Sequence, residues 1–114
     1  MMLEYHSIFC DLTIYSLKAL KYLTKVNLLG CLNVKDDGVK DLAKNLKYLE
    51  DLDLGGTNIS SDSLRELVQL CLALRKVNLS GCKRLNASDD KILHKHGINV
   101  EGGDDVFRFY LFPE

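Results

Sequence analysis

His94 and His96 are the closest pair of imidazoles in the chain, and such a pair is a common nucleus of a transition-metal site. On a helix their i, i+2 spacing turns the rings about 200° apart, so they do not share an ion. They are expected in a solvated last helical turn, where cationic character suits the negative end of the helix dipole. Gly55-Gly56 and Gly102-Gly103 resemble the glycines of phosphate-cradling loops, but neither pair is followed by the lysine and hydroxyl residue that hold nucleotide and magnesium. Both are expected to be turns after strands. Asp36-Asp37, Asp89-Asp90 and Asp104-Asp105 could attract a cation, yet none has the alternating ligands and distal Glu of a calcium loop; helix starts and turns account for them. No Ser, His and Asp are placed by motif as a catalytic triad. Cys10, Cys31, Cys71 and Cys82 are even in number, which brings a disulfide framework into consideration, but they are widely separated and contain no C-x-x-C pair of the kind that holds zinc. The expectation is a chain with no catalytic residue, no metal site and no cofactor.

The elements that position the remaining polar residues follow from the leucines. Of 114 residues, 22 are Leu and one is Pro; 46% are hydrophobic and 27% charged. That content fits one folded domain and excludes an intrinsically disordered chain. Fifteen Lys and Arg oppose sixteen Asp and Glu, evenly over both halves, which removes the electrostatic reason to bind nucleic acid or an anionic membrane. The N-terminus lacks a basic segment followed by an apolar one, and no apolar run approaches the ~18–20 residues of a membrane span. A reducing compartment, cytoplasmic or nuclear, is expected.

The leucines form a repeat. Leu23, Val26, Leu28 and Cys31 align with Leu49, Leu52, Leu54 and Thr57, and these with Leu74, Val77, Leu79 and Cys82; the two steps, Leu23 to Leu49 and Leu49 to Leu74, are nearly equal. Within Val26-Asn27-Leu28, Leu52-Asp53-Leu54 and Val77-Asn78-Leu79 the period is two, the pattern of a strand with one face in a core and Asn27, Asp53 and Asn78 facing out. Val39, Leu42, Ala43 and Leu46, then Leu64, Leu67, Val68 and Cys71, have the spacing of an amphipathic helix. Asp37, and Ser61 or Asp62, are expected to cap those helices. Each unit is one strand and one helix that cannot bury its apolar side alone.

Partial units flank the three full ones. Upstream, Cys10 and Leu12 followed by Leu17 and Leu20 match the second half of a unit, which places strand positions at Tyr5 and Ser7. Downstream, Ile98-Asn99-Val100 matches Val77-Asn78-Leu79, with Gly103 in the Cys position. The outer steps, Cys10 to Cys31 and Cys82 to Gly103, are then equal to each other and shorter than the inner ones. The chain is thus expected to be a single domain over 1–114: a degenerate N-terminal unit over 1–22, three full repeats over 23–97, and a terminal strand with an aromatic tail over 98–114. The tail, from Val106 to Glu114, carries four aromatics between Phe107 and Phe112. It is read as a cap on the last repeat, with a peptide-like docking segment as the alternative.

These residues resemble the cysteine-containing subtype of leucine-rich repeats, with its pattern L-x-x-L-x-L-x-x-C followed by an apolar residue and a helix ending in Cys. The match is close at Leu23 to Cys31 with Asp37, Gly38 and Val39, and good at Leu49 to Thr57 with Leu64 to Cys71 and at Leu74 to Cys82. The departures are Thr57 and Gly103 in Cys positions and the absence of the Thr-Asp pair. The resemblance implies an α/β solenoid, a right-handed β-α superhelix with a parallel sheet on its concave face and helices on its convex face. It also implies a protein-binding module, as in the substrate-recognition repeats of F-box ubiquitin ligase adaptors and the antagonist of mitotic exit network family. The small mitochondrial ATP synthase coupling factor B group, a structural and assembly class, is the alternative, with a mitochondrial location. In such a stack, equivalent residues lie ~5 Å apart. Cys31 and Cys82, two units apart, are then too far to bridge, since Cα atoms must lie within about 7 Å. Cys10 and Cys31 are neighbours, and all four cysteines are expected as buried free thiols.

The partner surface expected is the outer face of the sheet, with Lys25, Asp51 and Lys76 in one row, Asn27, Asp53, Asn78 and Asn99 in the next, and Leu29, Gly55, Ser80 and Glu101 in a third. The rows mix charge and amide without an aromatic anchor of the kind that dominates interfaces, so a plain solvated face is an equal reading. No feature specifies an oligomeric state.

Overall fold

The computed structural model describes Met2–Glu4 as backbone and residues 21–101, the side chain of Ala87 excepted. The order of elements is β1 (Met2–Glu4), β2 (Lys25–Asn27), α1 (Asp36–Asn45), β3 (Asp51–Asp53), α2 (Ser61–Leu70), β4 (Lys76–Asn78), α3 (Ala87–His94) and β5 (Asn99–Glu101). The five strands form one parallel sheet in chain order. The fold is therefore α/β. Period-two alternation decides which side each strand buries: Val26, Leu52, Val77 and Val100 lie under the sheet, while the residues on either side of each are partly or fully exposed. Leu23, Leu28, Leu49, Leu54, Leu74 and Leu79 extend the same layer, and Val39, Leu42 and Ala43 of α1 with Leu64 and Leu67 of α2 close it from the helix side.

Each central strand ends in the same turn. The amides of Cys31, Thr57 and Cys82 donate to the carbonyls of Leu28, Leu54 and Leu79 at 3.0, 3.1 and 3.2 Å. The third residue of each turn is Gly30, Gly56 or Gly81, with φ of +77°, +71° and +74°. With no positive φ at the residue before it, this is a type II turn, and an L side chain is strained at its third position. A Cβ on Gly56 would meet nothing closer than 3.5 Å, so space is not the constraint. Gly56→Ala is expected to cost about 1–2 kcal/mol through backbone strain alone, read as a lower urea midpoint with an unchanged m-value.

Helix starts depart from the expected caps. Lys35 precedes α1 and offers no side-chain bond, so Asp37 lies within the first turn and is not a cap. Ser60, not Ser61 or Asp62, caps α2 and accepts from the Asp62 amide. Asn86 caps α3 in a reciprocal box with Asp89, whereas Asp90, the other half of that acidic pair, is buried. Asp36 serves the neighbouring helix: its Oδ1 accepts from the Ser60 amide at 2.8 Å and from Ser63 Oγ at 2.5 Å, and its Oδ2 from Ser60 Oγ at 2.5 Å. One carboxylate thus joins the N-terminal ends of α1 and α2.

The outer strands sit two positions away from where sequence alignment places them. Leu3 pairs with Val26 and Val77 with Val100, so both outer steps are longer by two than the alignment gives. A pattern of period two looks the same after a slip of two. In β5 the Ile98-Asn99-Val100 triplet matches the strand motif, yet Ile98 fills the core as Leu74 does, and Val100 is the central strand residue. Tyr5, Ser7 and Gly103, which the alignment assigns to the outer units, lie outside the described residues, as does the whole aromatic tail. The cysteines are also not uniform. Cys71 and Cys82 are buried thiols, but Cys31 is disulfide-bonded. The expectation of four free thiols therefore fails at Cys31.

The buried thiols and the threonine share one job. Thr57 Oγ1 donates to the Leu54 carbonyl at 2.6 Å and Cys82 Sγ to the same oxygen at 3.1 Å. The hydroxyl reaches this carbonyl from within its own turn and the thiol from the next turn along, so one oxygen ties the two together. Cys71 Sγ lies 3.8 Å from the carbonyls of Ala43 and Leu46, and burial pushes its thiol up to about 11, which keeps it protonated at neutral pH.

Candidate binding face

The strand register decides what the outer face presents. Lys25, Asp51, Lys76 and Asn99 form one row across β2 to β5, and Asn27, Asp53, Asn78 and Glu101 form the next. Lys25, Asn27, Asp51, Asp53, Lys76 and Asn78 are thus brought together as expected. Asn99 is not in the amide row; the slip of two moves it beside Lys76 and brings Glu101 beside Asn78. A shallow groove of about 220 Å³ runs over these rows, with Lys25, Asn27, Asp51, Asp53, Lys76, Asn78 and Glu101 around it and Val26 at its base.

The second row is engaged in holding the turns. Asn27 Oδ1 accepts from the Leu29 amide at 2.9 Å, Asp53 Oδ1 from the Gly55 amide at 2.9 Å, and Asn78 Oδ1 from the Ser80 amide at 3.0 Å. Each is an Asx turn, in which a short side chain satisfies the amide two residues on. Asn78 Nδ2 also donates to Asp53 Oδ1 at 3.0 Å, which links adjacent strands. Asn and Asp recur here because the strand must end in a tight turn, so their presence in the repeat is explained by backbone chemistry.

The first row has no such duty. Lys25 is exposed and Asp51 half-buried, and neither makes a turn. Lys76 Nζ lies 2.8 Å from Glu101 Oε1, with side-chain exposures of 41% and 50%. The hydrogen bond and charge of Glu101 raise the lysine's affinity for its proton; at this exposure the pair contributes little to stability. Beside the rows, Leu29 is 52% exposed and lies over Gly55, whose missing side chain makes room for it: a Cβ there would stand 2.6 Å from Leu29 Cδ1. Leu29 is thus an exposed apolar side chain on the turn that follows β2.

The remaining candidates are dispersed. His94 ends α3, and His96 follows in the turn, where Nδ1 donates to the Ile92 carbonyl at 3.0 Å; both rings are exposed. Gly55 and Gly56 form a strand-ending turn, and Gly102-Gly103 and Asp104-Asp105 lie outside the described residues. Among the described residues no three His, Cys, Asp or Glu side chains gather as metal ligands, and no helix is long and apolar enough to cross a membrane. Sequence reasoning missed the exposed tyrosine pair, Tyr22 and Tyr48, in the turns before β2 and β3. The tripeptide Lys-Tyr-Leu, present at 21–23 and again at 47–49, was the available signal. No protein-family model matches the chain.

Proposed function

We propose that the chain is a short leucine-rich-repeat solenoid of the cysteine-containing type, and that it acts as a non-catalytic protein-interaction module through the outer face of its sheet. The observation that carries this reading is the row Lys25, Asp51 and Lys76, which crosses three adjacent strands in register and is needed neither by the core nor by a turn. Strands in chain order, near-equal steps between paired strands and a repeated glycine turn support the solenoid. Recognition would rest on charge alternation at about 4.8 Å spacing, with Leu29 as the apolar contact, on a surface that reorganises little. The resemblance to F-box substrate-recognition repeats suggests that the partner is a protein destined for ubiquitin transfer.

The test is a double charge reversal, Asp51→Lys with Lys76→Glu, which leaves the Asx turns intact. Partners captured by the wild-type chain from extract and identified by mass spectrometry are expected to bind the variant at least tenfold more weakly, about 1.4 kcal/mol. Thermal unfolding of the variant should be nearly unchanged, since exposed pairs contribute little. Equal capture by both proteins would remove the outer face from the reading. Ubiquitin-ligase subunits among the captured proteins support the F-box relation, whereas matrix proteins point to the coupling-factor-like class.

A further inference from the structure

We propose that the edge formed by the turns before β2, β3 and β4 is a second protein-docking surface, and that its occupant is an acidic segment of a partner protein with an aromatic or aliphatic anchor. The turns at 21–22, 47–48 and 72–73 sit at the same place in successive units. The later two are closed alike, by the Leu49 amide on the Leu46 carbonyl and the Leu74 amide on the Cys71 carbonyl. Tyr22, Tyr48 and Leu72 project from them with exposures of 71%, 54% and 85%. The two tyrosine rings rest on each other with centroids 5.5 Å apart and planes 31° apart, so they are held as one platform outside the core. Fixed aromatic surface of this kind loses little side-chain entropy on binding and is favoured at interface centres.

Charge around the platform selects the occupant. Lys21 and Lys47 are the other residues of the tyrosine turns, and Lys44 lies in the last turn of α1; all three are exposed. The salt bridges among the described residues involve none of them. Three such cations beside a tyrosine platform complement carboxylates that flank an apolar side chain. Nucleic acid fits less well: the rings already touch, so no base enters between them, and the chain's net charge is −1. This surface is separate from the sheet face and does not depend on the preceding proposal.

The test is selection from a phage-displayed library of random dodecapeptides on the full-length chain. Recovered peptides should place Asp or Glu beside Leu, Phe, Tyr or Trp. Their affinity should fall roughly tenfold or more with Lys21→Glu and Lys47→Glu together, and likewise with Tyr22→Ser and Tyr48→Ser, but not with Asp51→Lys. The lysine pair keeps the test decisive if the tyrosine variants unfold. No enrichment, peptides without acidic bias, or sensitivity to Asp51→Lys alone would overturn the proposal. So would stronger binding of single-stranded DNA or of phosphatidylserine vesicles, or a platform covered in solution by a second copy of the chain or by residues 102–114.

Discussion

Asp36→Ala is expected to lower the unfolding free energy at neutral pH by about 2–4 kcal/mol, a large loss for a point change at a helix end. The carboxylate accepts three hydrogen bonds, two from Ser60 and one from Ser63. Ser63 is fully buried, so its hydroxyl would lose its acceptor where water does not reach it, at a cost of about 1–3 kcal/mol. The loss of the bonds at the start of α2 adds about 1 kcal/mol. Partial burial pushes the Asp36 carboxyl up, but hydrogen bonds from Ser60 and Ser63 and the charge of Arg84 outweigh it, and the net shift is downward. A carboxyl that is more acidic in the folded than in the unfolded chain adds stability above its ordinary range near pH 4, and that stability is lost as pH falls through the lower folded value. Urea titrations of wild type and Asp36→Ala should therefore differ strongly at pH 7 and converge as the solution is acidified below that range. A gap that stays constant with pH would show that the ionised form of Asp36 is not what holds the two helices.

Leu52→Ala is expected to cost about 2–5 kcal/mol. Leu52 is fully buried at the centre of β3, between Val26 and Val77 on the adjacent strands, so the missing methyl groups leave a void that two rigid neighbours do not fill. Against a total of about 5–15 kcal/mol for a domain, this is a substantial fraction of the stability. Leu72→Ala is the natural comparison, because Leu72 is 85% exposed; its effect should stay within about 0.5 kcal/mol. Chemical denaturation of both variants separates core leucines from surface ones. Equal effects would mean that Leu72 is buried in solution.

The inner units are legible in the sequence, and the outer ones only in part. The central strands, their inward residues and the row Lys25, Asp51 and Lys76 follow from the spacing of Leu23, Val26 and Leu28 and its two copies. A periodic signal reports position within a unit but not the length of the link between units. That is why β5 is misread by two positions, and why Asn99 and Glu101 each lie one row away from the expected one. Asp36 is visible as an acid at a helix start, but its partners are 24 and 27 residues away, and no local pattern encodes such a pair. Asn27, Asp53 and Asn78 show the converse: the repeat places them correctly on the outer face, while their recurrence reflects the turns they hold.

Strand order that follows chain order means that each strand pairs only with its neighbours in sequence, and helix contacts follow the same rule, α1 with α2 and α2 with α3. Among the described strands, β1 and β5 are then paired on one side only and β2, β3 and β4 on two. Thermal opening is then expected as fraying at β1 and β5 that reaches β3 last. The polar groove reaches from Lys25 on β2 to Glu101 on β5. A ligand lying along it would clasp four successive strands and oppose that fraying, so that occupancy of the outer face and the integrity of the last unit rise together.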